Sequence, residues 1–126
     1  MSRTLTLAAA LVAAAVVAPG GGAVAAVSSC PRGLLPLQAN SIGAAAAAAF
    51  AHENGTSKPL VVSAVLATAD QEGGPIARRE CGTGVWQRTV VVHIRLRAYL
   101  PSASLSERIS FVGRFKSGYK VWQIAH

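Results

Sequence analysis

The last third of the chain is the part that leaves its fold the least freedom. From Val85 to Leu100, Val90, Val92, Ile94, Leu96 and Ala98 share one parity while Val91, His93, Arg95, Arg97 and Tyr99 take the other. A two-residue period is that of a strand with one buried face. Pro101 to Ser104 reads as a turn into Leu105 to Phe115, where Ile109, Phe111 and Phe115 fall on one side and Arg108, Ser110 and Arg114 on the other. Ser117-Gly118 then predicts a two-residue hairpin into a closing strand, Tyr119 to Ala125. Pairing Leu100 with Leu105 and Lys116 with Tyr119 puts Val92, Gly113 and Trp122 in one row and Ile94, Phe111 and Ile124 in the next. Two independently placed turns thus predict one apolar face.

Upstream, Asn40 or Ser41 can cap a helix through Ile42, the alanines 44 to 49, Phe50 and His52, with Asn54-Gly55 as its stop. Alanine supplies propensity and little apolar area, so Ile42 and Phe50 are expected to anchor it. After Lys58-Pro59, Leu60 to Ala67 reads as an apolar strand. Residues 70 to 84 contain Gly73-Gly74-Pro75, five charges and Cys81, and read as a long connection with at most a short strand near Ile76. The fold class expected is α+β: one helix packed on a four-stranded antiparallel meander, a two-layer sandwich over residues 40–126.

The N-terminus has a different character. Arg3 precedes an apolar run from Leu5 to Ala18, followed by Ala23-Val24-Ala25. A basic residue, an apolar core shorter than a membrane span and a small-x-small site predict an export signal over residues 1–25. Residues 26–39, with Pro31, Gly33 and Pro36, form an extended lead-in. What remains after cleavage, about 101 residues, is enough for one small domain. Its two cysteines, Cys30 and Cys81, allow one intrachain disulfide in an oxidising compartment. Such a bridge closes a loop of about 52 residues and contributes roughly 4 kcal/mol in the chain-entropy model. The alternative is a relaxed lipobox, Val27-Ser28-Ser29-Cys30, in which Cys30 carries a lipid anchor and Cys81 is left as a lone thiol.

The element order over roughly residues 40 to 126, closed by Tyr119-Lys120-Val121-Trp122-Gln123-Ile124, resembles the cystatin-like and nuclear-transport-factor-like folds. That resemblance implies a curved sheet wrapped around a helix. The Gln-x-Val-x-Gly hairpin of cystatin inhibitors is absent, so no protease inhibition is implied. The alanine-rich signal, the arginine preference and Pro101-Ser102-Ala103-Ser104-Leu105-Ser106 resemble small exported proteins of high-GC actinobacteria.

Charge narrows the choice of partner. The net charge is +7, and the excess lies almost wholly in residues 78–126, where nine arginines and lysines face Glu80 and Glu107. An exported basic domain suits an anionic surface, polymer or protein rather than nucleic acid, which also requires interleaved aromatics that are missing here. The expected binding face is Arg95, Arg97, Arg108 and Arg114 with His93 and Tyr99, where Arg97 lies beside Arg108. Opposed like charges are destabilising unless an acid such as Glu107 or a bound anion intervenes.

Catalytic and metal chemistry find less support. His52, His93 and His126 sit on different elements without ligand spacing, which predicts neither a metal nor another cofactor. Asp70 and Glu72 share a loop with no third group placed near them, and Ser102, Ser104 and Ser106 read as turn formers. The expectation is a non-enzymatic binding domain. The alternatives are a small-molecule or enzymatic pocket between helix and sheet, with Glu107 as its acid, and a homodimer formed through sheet edges.

Overall fold

A computed structural model of the chain describes residues 29–53, 57–103 and 106–126. The expected export signal, the expected Asn54-Gly55 helix stop and Ser104-Leu105 of the first turn lie outside the described residues. The elements run α1 (Ser41–Glu53), β1 (Pro59–Leu66), a 3-10 turn (Ala67–Ala69), α2 (Gly73–Trp86), β2 (Thr89–Leu96), β3 (Glu107–Phe115) and β4 (Gly118–Ala125). The strands form one antiparallel sheet in the order β1-β2-β3-β4. The α+β class and the four-stranded meander are those expected from the sequence.

The second helix is new. Gly73-Gly74-Pro75, which reads as a breaker, is the first turn of α2. Proline is tolerated there because the first-turn amides have no intrahelical partner. Both glycines are packing requirements. A Cβ on Gly73 would lie 2.7 Å from Val91 Cγ1, and one on Gly74 would run into the carbonyl oxygen of Ala67. The helix therefore starts directly on the sheet. Asp70 caps it by accepting the Gly73 amide proton, and Trp86 closes it by donating from Nε1 to Ala67 O at 3.2 Å. Gly82, at φ 86°, breaks the helical path after Cys81. The usable sequence signal was the spacing Ala77, Cys81, Val85, which puts one stripe of small and apolar residues on a helix.

With a helix on each side, both parities of the central strands are buried, and the register differs from the expected one. Val91 pairs with Phe111, Val92 with Ser110 and Ile94 with Arg108. This is a slip of three residues, and an odd slip exchanges the faces of β3 relative to β2. Val90, Val92, Ile94, Leu96 and Val112 pack under α1, whereas Val91 and Phe111 pack under α2 with Ala67, Ala77, Ile76, Trp86 and Trp122. The unbroken run Val90-Val91-Val92 carried that information, since a strand buried on both faces does not alternate. In the second hairpin Phe115 pairs with Gly118, so that Lys116-Ser117 make the turn, and a bulge at Phe111/Val112 shifts the remainder of β4 by one residue.

The anchors of α1 also differ from expectation. Ile42 and Phe50 are 41% and 50% exposed, while Ser41, Ala45, Ala49 and Glu53 are buried. The alanine face lets the helix backbone lie close to the valines beneath it. At its first turn Ser41 Oγ and Tyr119 Oη of β4 share a hydrogen bond of 2.6 Å. At its last turn Glu53 Oε2 accepts from Arg108 Nη1 at 2.6 Å.

Cys30 and Cys81 form a disulfide, which staples the N-terminal segment to α2. From there the chain continues along the sheet. Leu34 fills the space above Gly113, where a Cβ would collide with its Cδ2, and the Leu35 amide donates to Arg114 O at 2.7 Å. With its sulfur in the disulfide, Cys30 cannot at the same time carry a lipid thioether.

Candidate functional site

The register separates the arginines that the alternation had placed together. His93 and Arg95 point to the α2 side, with Val91, Phe111 and Ile109. Arg108 and Arg114 belong to the α1 side, and each has a structural partner: Glu53 for Arg108, and Pro36 O at 3.1 Å for Arg114. Arg95 pairs at 3.5 Å with Glu107, its cross-strand neighbour. Arg97 lies beyond β2 and donates from Nε to Lys58 O at 3.3 Å. Tyr99 is exposed in the loop that follows. The expected Arg97/Arg108 opposition does not form, because β2 ends at Leu96 and Arg108 pairs with Ile94. The predicted patch is thus split, with His93 and Arg95 on one face and Arg108 and Arg114 on the other.

What the fold does assemble is a segregation of charge along the strands. At the end where α1 finishes, β1 starts and β2 stops, Glu53, Asp70, Glu72 and Glu107 accompany Lys58, Arg95, Arg97 and Arg108, and most of these are paired. At the opposite end Arg88 immediately precedes β2, Lys116 sits in the β3–β4 turn, Lys120 pairs with Gly113, and Arg32 lies in the stapled N-terminal segment. These four side chains are exposed. Among the described residues the nearest acid in sequence on α2, Glu80, is engaged by Arg79 at 3.4 Å. The excess of basic residues in the C-terminal half is legible in the sequence, but the face they occupy is not. The position of the turns, which sets the register, was the missing piece.

The end where the charges are paired also holds a cleft of about 470 Å³ on the α2 side, beyond the N-terminus of that helix. Its polar lining includes Asp70, Glu72, His93, Arg95, Glu107 and His126, and Val62 and Ile109 supply apolar wall. At its floor His93 Nε2 meets Asp70 Oδ1 at 2.8 Å. The Asp70 side chain is 9% exposed and its other oxygen accepts the Gly73 amide. Burial by itself would raise the Asp70 carboxyl pKa. The hydrogen bond from His93, those from the Gly73 and Gly74 amides and the charge of the imidazole oppose it, and the net effect holds the group below its ordinary value. Glu107, the acid singled out for an alternative pocket, does line this cleft and faces Arg95 there.

Buried polar atoms without a hydrogen-bond partner lie on both faces of the sheet. On the α1 side Glu53 Oε1, Arg108 Nε and Ser110 Oγ are buried without a hydrogen-bond partner among the described residues, beside the Glu53–Arg108 ion pair. On the α2 side Trp122 Nε1 is likewise unpartnered, where the ring packs at 5.3 Å from Phe111. Among the described residues no group of three or more His, Cys, Asp or Glu side chains could hold a metal ion, and no helix is long and apolar enough to cross a membrane. His52 is exposed in the last turn of α1.

Comparison with protein-family models, with curated proteins and with solved structures finds no match to this chain.

Proposed function

We propose that this is an exported domain that binds an anionic partner outside the cytoplasm through the basic end of its sheet, at Arg32, Arg88, Lys116 and Lys120. The observation that carries this reading is the segregation of charge. Acids accompany the cations at one end of the strands, whereas these four side chains are exposed on the other. A concentration of one sign of charge steers an oppositely charged partner and holds it in a salt-dependent manner. The disulfide is compatible with an extracytoplasmic location, and Arg3 with the apolar run after it supports export. The cystatin-like comparison remains one of element order, and it contributes no site.

The test is retention on an acidic polymer, such as polyglutamate, across a salt gradient. Replacing Arg88, Lys116 and Lys120 with glutamine should move elution to markedly lower salt, while replacing Arg95 and Arg97 should move it little. Equal effects of the two sets would sink the reading. The intact mass of the processed chain checks export: a start near Ala26 and thiol alkylation only after reduction are the expected results.

A further inference from the structure

We infer that the cleft beside the N-terminus of α2 is a hydrolytic site for short-chain carboxylic esters, with Ser63 as nucleophile and His93 as its base. The inference is independent of polymer binding at the other end of the sheet.

The register brings the groups together. Ser63 of β1 is the cross-strand partner of His93 of β2, and both line the cleft. Directly opposed residues in an antiparallel pair have Cβ atoms about 4.5–5.5 Å apart, so rotation about the side-chain bonds can close the gap between a hydroxymethyl and an imidazole. A bulge between Val61 and Ser63 sets this pairing, because without the extra residue Val62 would stand opposite His93. The imidazole is itself oriented. Its Nε2 is held by an ionised Asp70, which is fixed in turn by the Gly73 amide at the start of α2. With Nε2–H donated to that carboxylate, Nδ1 carries the ring's lone pair and is the proton acceptor. A nucleophile beside a base, and a base held by a buried carboxylate, is the arrangement that activates a hydroxyl. Arg95, on the same face of β2 two residues after His93, is paired with Glu107 and keeps further guanidinium N–H donors that can meet a developing oxyanion. The volume, about 470 Å³, and the apolar contribution of Val62 and Ile109 suit a small acyl group.

The chemistry balances with water as the only co-reactant. Ser63 Oγ bonds to the ester carbonyl carbon while its proton passes to His93 Nδ1. The bond from that carbon to the alkoxy oxygen breaks, and the proton leaves with the alcohol. Water then adds to the acyl carbon and gives a proton to Nδ1. The acyl–Oγ bond breaks and Ser63 recovers the proton, so the products are one carboxylic acid and one alcohol. Asp70 acts through His93, which makes it a positioning residue.

The experiment uses the processed, disulfide-bonded protein with two probes, a fluorophosphonate and 4-nitrophenyl acetate. The expected result is an adduct on Ser63 by peptide mass and hydrolysis that falls by at least about a hundredfold in Ser63→Ala and His93→Gln. Asp70→Asn should move the pH profile of hydrolysis as well as its rate. Near-ultraviolet circular dichroism of each variant checks that it folds. A Ser63→Cys variant gives a second readout, since iodoacetamide should alkylate that thiol faster when His93 is present than in the Ser63→Cys/His93→Gln pair. No adduct on Ser63, hydrolysis unchanged in Ser63→Ala, or an alkylation rate indifferent to His93 would each overturn the assignment.

Discussion

The two faces of the sheet are covered by helices that do the job in opposite ways. On one face α1 presents Ala45 and Ala49 to Val90, Val92 and Ile94, spans the sheet from Tyr119 to Arg108, and seals its far end with the Glu53 ion pair. On the other face α2 begins with Gly73 pressed against the strands and Gly74 against Ala67, breaks at Gly82 and is stapled through Cys81. It leaves the strand ends beyond its N-terminus uncovered, and those ends form the cleft that holds Asp70 and His93. A cover of small residues in close contact excludes water. A cover that is broken at Gly82 and held by a covalent link leaves strand ends open to solvent. The division of labour is a consequence of where each helix obtains its stability: α1 from packing, α2 largely from its cap, its tryptophan and its disulfide.

The two faces part most clearly when the staple is removed. Replacing Cys30 and Cys81 with serine should cost about 4 kcal/mol in the chain-entropy model, a large part of the roughly 5–15 kcal/mol by which a domain is stable. Chemical denaturation would report the loss. Hydrogen exchange should show the amides of α2 opening before those of α1. Equal loosening of both helices would mean that the staple supports the whole domain and not one face of it.

The next largest effect belongs to the α1 face. Arg108→Ala leaves the Glu53 carboxylate, whose side chain is 3% exposed, without its cation. Breaking a buried pair in this way costs about 3–5 kcal/mol, and the lower figure applies here because Arg108 retains some contact with water. If denaturation of the variant shows less than about 1 kcal/mol, the pair behaves as a surface contact and the seal at the end of α1 is not electrostatic.

Acid should affect the α2 face through Asp70. Its carboxyl has a lower pKa folded than unfolded, so its contribution to stability is complete above the unfolded value and is lost as the pH falls through the folded one. The stability of the native chain should therefore decline with acid more steeply than that of Asp70→Asn, as followed by denaturation midpoints on the acid side of the ordinary carboxylate range. Parallel declines would remove Asp70 as the clasp between α2 and β2.

Much of this architecture was legible in the sequence, and the failures share one cause. The meander, the α1 span and the cysteine pair follow from period, capping residues and an even cysteine count. The register and the second helix do not, because both depend on what lies above the sheet. Gly73-Gly74 appears as a breaker until Val91 and Ala67 are seen beneath it. Val91 appears solvent-facing until α2 is known to cover it. The candidate sites suffer in the same way: an odd slip of the β2–β3 pairing sends Arg108 to one face and His93 to the other. Ser63 gave no signal at all, since its importance comes from one cross-strand partner set by a bulge.

The smallest effect tests the least intuitive part of the comparison. Ile42 and Phe50 are the bulkiest apolar residues of α1, and a sequence argument makes them its anchors. Phe50 is nevertheless 50% exposed, while Ala49 beside it is fully buried. A substitution at an exposed site that breaks no cap or network usually changes stability by no more than about 0.5 kcal/mol. Phe50→Ser should stay near that limit, whereas Ala49→Leu should cost about 1–3 kcal/mol by forcing extra methylenes between α1 and the valines of β2. Thermal and denaturant midpoints of the two variants decide the matter. If Phe50→Ser proves the more damaging, the aromatic ring is covered in solution and α1 has a neighbour on its outer side; if Ala49→Leu does, the smallness of the inner face is what holds the helix to the sheet.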